Sequence, residues 1–125
     1  PIPPRSYERP KGFPWLSGAK RDKIQAHNYL AEQSLIAARA AHDVGAVFGL
    51  EHPEDLGCRD GQRPASIRQW SGTLDLAEHS GVVRLALHQS TFGGSSPKPT
   101  AVLTNGKKLS PCIHQRWPEI DGSGR

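Results

Sequence analysis

The sequence predicts an α/β fold, and three observations carry that expectation. Residues 19–44 have the apolar spacing of an amphipathic helix, and an apolar strand-like run, 46–50, follows directly. Two later strand patterns, 82–87 and 99–103, are separated by the eleven residues 88–98, too few for a parallel crossover, which needs roughly a dozen or more. The expected architecture is a partial doubly wound sheet with one long helix, one central strand and an antiparallel strand pair.

Each element has its own signal. Residues 1–18 hold Pro1, Pro3, Pro4, Pro10 and Pro14, which exclude long runs of regular structure; Trp15 and Leu16 are expected to pin this lead-in to a core. Ser17-Gly18 marks the helix start. Ile24, Ala31, Leu35 and Ala38 make one helical stripe, with Leu30, Ala37, Ala41 and Val44 beside it, and Gly45 ends the helix. The strand over 46–50 stops at Glu51 and is closed by Pro53. Gly57, Gly61 and Pro64 give a loop over 57–64, Ser66 to Trp70 reads as a short helix, and Thr73–Glu78 as another. Trp70 reads as a core anchor. Phe92-Gly93 reads as a tight turn with its aromatic ring packed inward. Asn105-Gly106 stops the third strand. The expected organisation is an irregular lead-in over 1–18, an α/β domain over 19–105 and an irregular tail over 106–125, disordered over 121–125.

A chain of 125 residues suits one domain with a small core, and 13 Gly and 11 Pro imply long irregular stretches. No apolar run approaches the ~20 residues of a membrane span. Cys58 and Cys112 do not make a disulfide framework, so an intracellular compartment, nuclear or cytoplasmic, is expected. The sequence has no Met and opens on Pro1, which suggests a piece of a longer or processed chain. Residues 1–27 carry +4, residues 28–57 carry −4 and residues 58–125 carry +4. Basic flanks around an acidic middle suit a polyanion held at the rim of a site.

Glu51 is the leading candidate for chemistry, because ligands of open α/β sheets gather outside the carboxyl ends of the strands. Lys20, Arg21 and Lys23 oppose the helix dipole and hint at a nearby anion. Asn28 lies within the apolar stripe and must be hydrogen-bonded or face a cleft. Lys98 follows a Gly/Ser loop, and Gln69 lies beside Trp70. Cys112 and His114, with Cys58 or His52, lack the paired spacing of a structural zinc site, so no metal is expected. Ser90 has no Gly-x-Ser-x-Gly elbow, which excludes the Ser–His hydrolase reading.

Four segments together carry a family likeness: Glu51-His52-Pro53, then residues 64–70 (PASIRQW), 89–93 (QSTFG) and 98–105 (KPTAVLTN). In this order they resemble the C-terminal half of cytosine-5 DNA methyltransferase-like proteins, closest to divergent members from mobile elements and protists. The resemblance implies a Rossmann-like methyltransferase sheet, S-adenosylmethionine as cofactor and DNA as partner. It makes Glu51 the residue that contacts an extruded cytosine, with Arg21, Asn28, Gln69, Lys98 and Thr100 as substrate-binding candidates. The family's Asn after the Glu is His52 here, and its turn before the Phe/Tyr-Gly reads His88-Gln89-Ser90. The glycine-rich cofactor loop and Pro-Cys nucleophile, which the family carries earlier in its chain, are expected from a missing N-terminal half of the same protein. The alternative is a non-catalytic nucleic-acid-binding or assembly module derived from that fold.

Overall fold

The computed structural model describes residues 2–54, 64–95 and 98–113. Helix α1 (Gly18–Asp43) leads to strand β1 (Gly49–Pro53), helix α2 (Ser71–Glu78), strands β2 (Val83–His88) and β3 (Pro99–Thr104), and a last turn α3 (Ser110–Ile113). Tight helical turns occupy Ile67–Gln69 and Gln89–Phe92. This is a small α/β fold with one long helix and a three-stranded antiparallel sheet.

Helix α1 ends as the sequence requires. Gly45 sits at φ +74°, its N–H donates to the His42 carbonyl, and the Ala46 N–H donates to the Ala41 carbonyl at 2.8 Å. These are the two bonds of a Schellman motif, which close carbonyls the helix leaves open. Strand β1 begins later than the apolar run suggests. Residues 46–48 form a connector, because their polar backbone is bound by Asn105: its Oδ1 accepts from the Phe48 N–H at 2.9 Å and its Nδ2 donates to the Ala46 carbonyl at 2.8 Å. Val47 is accordingly 67% exposed. Thr104, fully buried, donates from its hydroxyl to the Phe48 carbonyl and accepts from the Gly106 N–H at 3.0 Å.

The strand order is β1-β3-β2, and both neighbours pair antiparallel with β3. The expected antiparallel pairing of the last two strands is present. The strand expected to be central is instead an edge among the described residues, and β3 takes the middle. Strands β1 and β2 therefore run the same way, and the connection carrying α2 supplies the chain length that a crossover needs.

Leu35, Ala38, Phe48, Trp70, Leu76 and Leu103 form the core, which lies between the helices and one sheet face. Gly72 lets α2 approach Leu35, where a Cβ would meet its side chain at 3.4 Å. The first apolar stripe of α1 is buried or half-buried from Ile24 to Ala38. The adjacent stripe is not: Leu30, Ala37 and Val44 are exposed, and only Ala41 is half-buried. The helix meets the rest of the protein along one narrow face, so a second stripe has nothing described to pack on.

Trp70 is the expected core anchor, but Trp15 is not an anchor at all. It is 69% exposed and stacked on Phe13, with ring centroids 4.6 Å apart. The lead-in is fastened instead by polar contacts: Asn28 Nδ2 donates to the Lys11 carbonyl at 2.7 Å, and Lys11 Nζ reaches Glu32 at 2.6 Å. Phe92 is also exposed rather than inward, although Gly93 makes the expected turn at φ +92°. The turn α3 interrupts a tail expected to be irregular, started by the Leu109 N–H donating to the Gly106 carbonyl at 2.9 Å. The loop expected over 57–64, except Pro64, and the disordered end over 121–125 lie outside the described residues.

Asn105→Ala removes the partners of the Phe48 N–H and Ala46 carbonyl together. The Ala46 carbonyl is exposed to water and only the Phe48 N–H is part-buried, so we expect a loss of about 1–2 kcal/mol in chemical unfolding.

Candidate functional site

The carboxyl ends of β1 and β2 and the start of β3 share one rim of the sheet, as the pairings of Pro53 with Thr100 and of His88 with Pro99 require. Three sequence-selected or motif residues meet there. Gln89 Nε2 lies 3.4 Å from Glu51 Oε1, and Lys98 Nζ lies 3.7 Å from the same oxygen. Glu51 is mid-strand rather than at a strand end, because β1 continues to Pro53. Its side chain is 52% exposed and that of Lys98 48% exposed.

Alternation along β1 decides which way these groups face. Residues Gly49, Glu51 and Pro53 are exposed while Leu50 and His52 are half-buried. Leu50 lies opposite Leu103 and packs on the helix-side core, so His52 shares that face. Glu51 lies opposite Val102, in a row with Leu85, on the other face. A cavity of about 200 Å³ between α1 and the sheet, lined by Ser34, Leu35, Leu50, His52 and Arg68, also reaches the Glu51 position. Register places the Glu51 carboxylate on the far side of the strand from most of this lining, so only the edge of the strand borders the cavity.

The remaining candidates are dispersed. Thr100 is 1% exposed and its hydroxyl donates to the Lys98 carbonyl at 3.1 Å, so it shapes the rim from inside. Arg21 lies on α1 beside Asp22, with 3.7 Å between charged atoms. Asn28 holds the lead-in. Gln69 completes a capping box: its Oε1 accepts from the Ser66 N–H at 3.0 Å, and Ser66 Oγ accepts from the Arg68 N–H at 3.2 Å. The Pro111-Cys112 pair lies in α3, past the end of β3 that is opposite the rim. The Cys112 thiol is exposed. Cys58 and His114 lie outside the described residues, among which no metal-binding group of His, Cys, Asp or Glu occurs.

Glu54 escaped the sequence reading, and His52 entered it only as a departure from the family's Asn and as a rejected metal ligand. Glu54 has a fully buried side chain, forms an ion pair with Arg84, and its N–H donates to the Pro99 carbonyl at 3.0 Å. Burial lowers the Arg84 pKa from its ordinary value. His52 lines both the 200 Å³ cavity and a second of about 240 Å³, and its Nδ1 lies 2.9 Å from the Pro53 carbonyl. Strand alternation through residues 49–53 was the available signal for His52. Nothing in the spacing distinguishes Glu54 from a solvated acid.

No protein-family model matches the chain, and no curated protein or solved structure matches it. Among the described residues no helix is long and apolar enough to cross a membrane.

The two rim ion pairs should behave differently in unfolding measurements. Replacing Lys98 by Met should change stability by less than about 1 kcal/mol, the range of exposed pairs. Arg84→Met should cost on the order of 2–3 kcal/mol because it takes a cationic partner from a buried carboxylate, less than the ~3–5 kcal/mol of a fully buried pair since Arg84 is 44% exposed.

Proposed function

We propose that this chain contributes the base-contacting rim of an S-adenosylmethionine-dependent cytosine-5 DNA methyltransferase-like domain with a Rossmann-like sheet. The meeting of Glu51, Gln89 and Lys98 at one rim, from three separate motifs of the resemblance, carries the reading. The topology is compatible with it. Two strands running the same way, joined by a helical crossover and with an antiparallel strand between them, can belong to a larger, mostly parallel sheet.

In this proposal the Glu51 carboxyl binds the ring nitrogen and amino edge of an extruded cytosine, while Lys98 approaches the phosphate beside it. Proton donation by a carboxyl demands a partly desolvated site. Glu51 is half exposed, so the base and the rest of the domain would supply that desolvation. The exposed second stripe of α1, Leu30, Ala37 and Val44, offers surface for a missing N-terminal half.

The described residues beside Glu51 do not fit S-adenosylmethionine. The 200 Å³ cavity there is below the ~300–1,000 Å³ typical of small-molecule sites, and no glycine-rich loop lines it. No step through the cofactor is therefore assigned to this chain; its pocket and the nucleophilic thiol would come from sequence outside it. The second reading, a nucleic-acid-binding module without the chemistry, draws on His52 at the family's Asn position and on the Lys98–Glu51 pairing.

In the complete protein, Glu51→Gln should lower methyl transfer to cytosine by orders of magnitude with DNA affinity little changed. Turnover equal to the parent's would remove Glu51 from the mechanism. Salt-dependent DNA binding with no methyl transfer by the parent would favour the second reading.

A further inference from the structure

A groove remote from the rim has features that the cytosine reading does not use. It lies between the lead-in and the first half of α1, encloses about 660 Å³, and is lined by Phe13, Trp15, Ile24, Arg5, Lys20 and Lys23 among others. Phe13 and Trp15 stack with an interplanar angle of 11°, yet Trp15 remains 69% exposed. One indole face is therefore covered by Phe13 and the other is open. A large exposed aromatic, held rigid by a stacked neighbour, is a platform for another π-system.

Charge narrows the identity of that π-system. Lys20 and Lys23 make no ion pair among the described residues, and the first turn of α1 holds no acid. Arg21 is offset by Asp22, and Lys11 by Glu32. Residues 1–27 carry a net +4, of which Glu32 offsets one charge.

The groove also continues inward. Arg5 and His27 line both the groove and the 240 Å³ recess that reaches His52, Ser66 and Trp70. Arg5 Nε and Nη2 and Trp70 Nε1 are buried and make no hydrogen bond among the described residues, and Trp70 is only 5% exposed. Buried donors normally find an acceptor, and each of these can only donate. The groove thus joins an open aromatic surface to a recess rich in unanswered donors, a pairing that matches a base attached to a phosphate.

We infer that this groove binds a nucleotide unit of single-stranded nucleic acid, with the base against Trp15 and the phosphate toward Arg5, Lys20 and Lys23. Aromatic stacking of this kind tolerates any base, and lysines along the strand supply the salt-dependent part of binding. The inference does not rest on the methyl-transfer reading, because Trp15, Arg5, Lys20 and Lys23 lie outside the rim.

The test measures fluorescence anisotropy of end-labelled oligothymidylate of eight residues, and of an abasic strand of equal length and charge, with the full 125-residue chain. The parent should prefer the base-bearing strand, and Trp15→Ala should weaken that strand by about 5–150-fold while changing the abasic one little. Replacing Lys20 and Lys23 together by Gln should flatten the salt dependence of both strands. Circular dichroism of each variant confirms folding, and exposure of Trp15 makes its truncation safe for the core. Equal affinity of parent and Trp15→Ala, equal affinity for the two strands, or displacement by inorganic phosphate alone would overturn the inference. So would concentration-dependent self-association that Trp15→Ala abolishes, which would make the groove a contact between copies.

Discussion

Thr104 and Asn105, adjacent at the end of β3, hold the chain between α1 and β1 through three backbone groups: the Ala46 carbonyl, the Phe48 N–H and the Phe48 carbonyl. The clamp joins segments 56–59 residues apart in sequence. It works with the Schellman turn at Gly45 to set where the helix stops and the strand begins. The registers of β1 and β2 both count from Thr104, which faces Gly49 on one side and Val83 on the other. A shift of one residue here would exchange the faces of Glu51 and His52 and send Leu50 to the wrong side. The fixed ends of Asn105 therefore decide which chemical groups the rim presents.

Insertion of β3 between two strands of common direction brings the rim together. A motif residue from each strand or its adjoining turn, Glu51, Gln89 and Lys98, can then converge, although they are far apart in sequence. The same insertion buries Thr100 and Thr104 in the middle strand, where their hydroxyls serve backbone carbonyls. Glu54 just beyond β1 is tied to Arg84 and to the Pro99 carbonyl, so the rim has a buried charged partner beneath its exposed one. The buried pair maintains shape, and the exposed one remains available to a ligand.

Most of the local structure was legible in the sequence. Periodicity placed α1 within one residue at each end, glycine placed its stop, and loop length identified the antiparallel pair. What failed has a common physical origin in partners that spacing does not name. Residues 46 and 47 look like a strand because they are apolar, but a side chain from residue 105 occupies their backbone. Trp15 and Phe92 look buried because they are aromatic, but Trp15 has only one face covered, by Phe13, and Phe92 stays exposed. At the site, the sequence picked out Glu51 and Lys98, whose proximity follows from topology. It could not separate Gln69, which caps a turn, from a ligand-facing amide. It also missed Glu54, whose burial depends on Arg84 thirty positions away.

The two basic regions of the chain have different structural meanings. At the rim, Lys98 lies beside Glu51, so the local charge is nearly balanced and orientation matters more than net attraction. In the lead-in and first turns of α1, Lys20 and Lys23 are not offset, and the nearby Arg5 donors are buried without acceptors among the described residues. Burial lowers the Arg5 pKa, yet a guanidinium remains charged at neutral pH. Stability is drawn down by holding such a cation away from water, unless something anionic meets it. Lys11 and Asn28 attach the lead-in to α1, and an anion bridging Arg5 and α1 would strengthen the attachment of the segment that forms half of the groove.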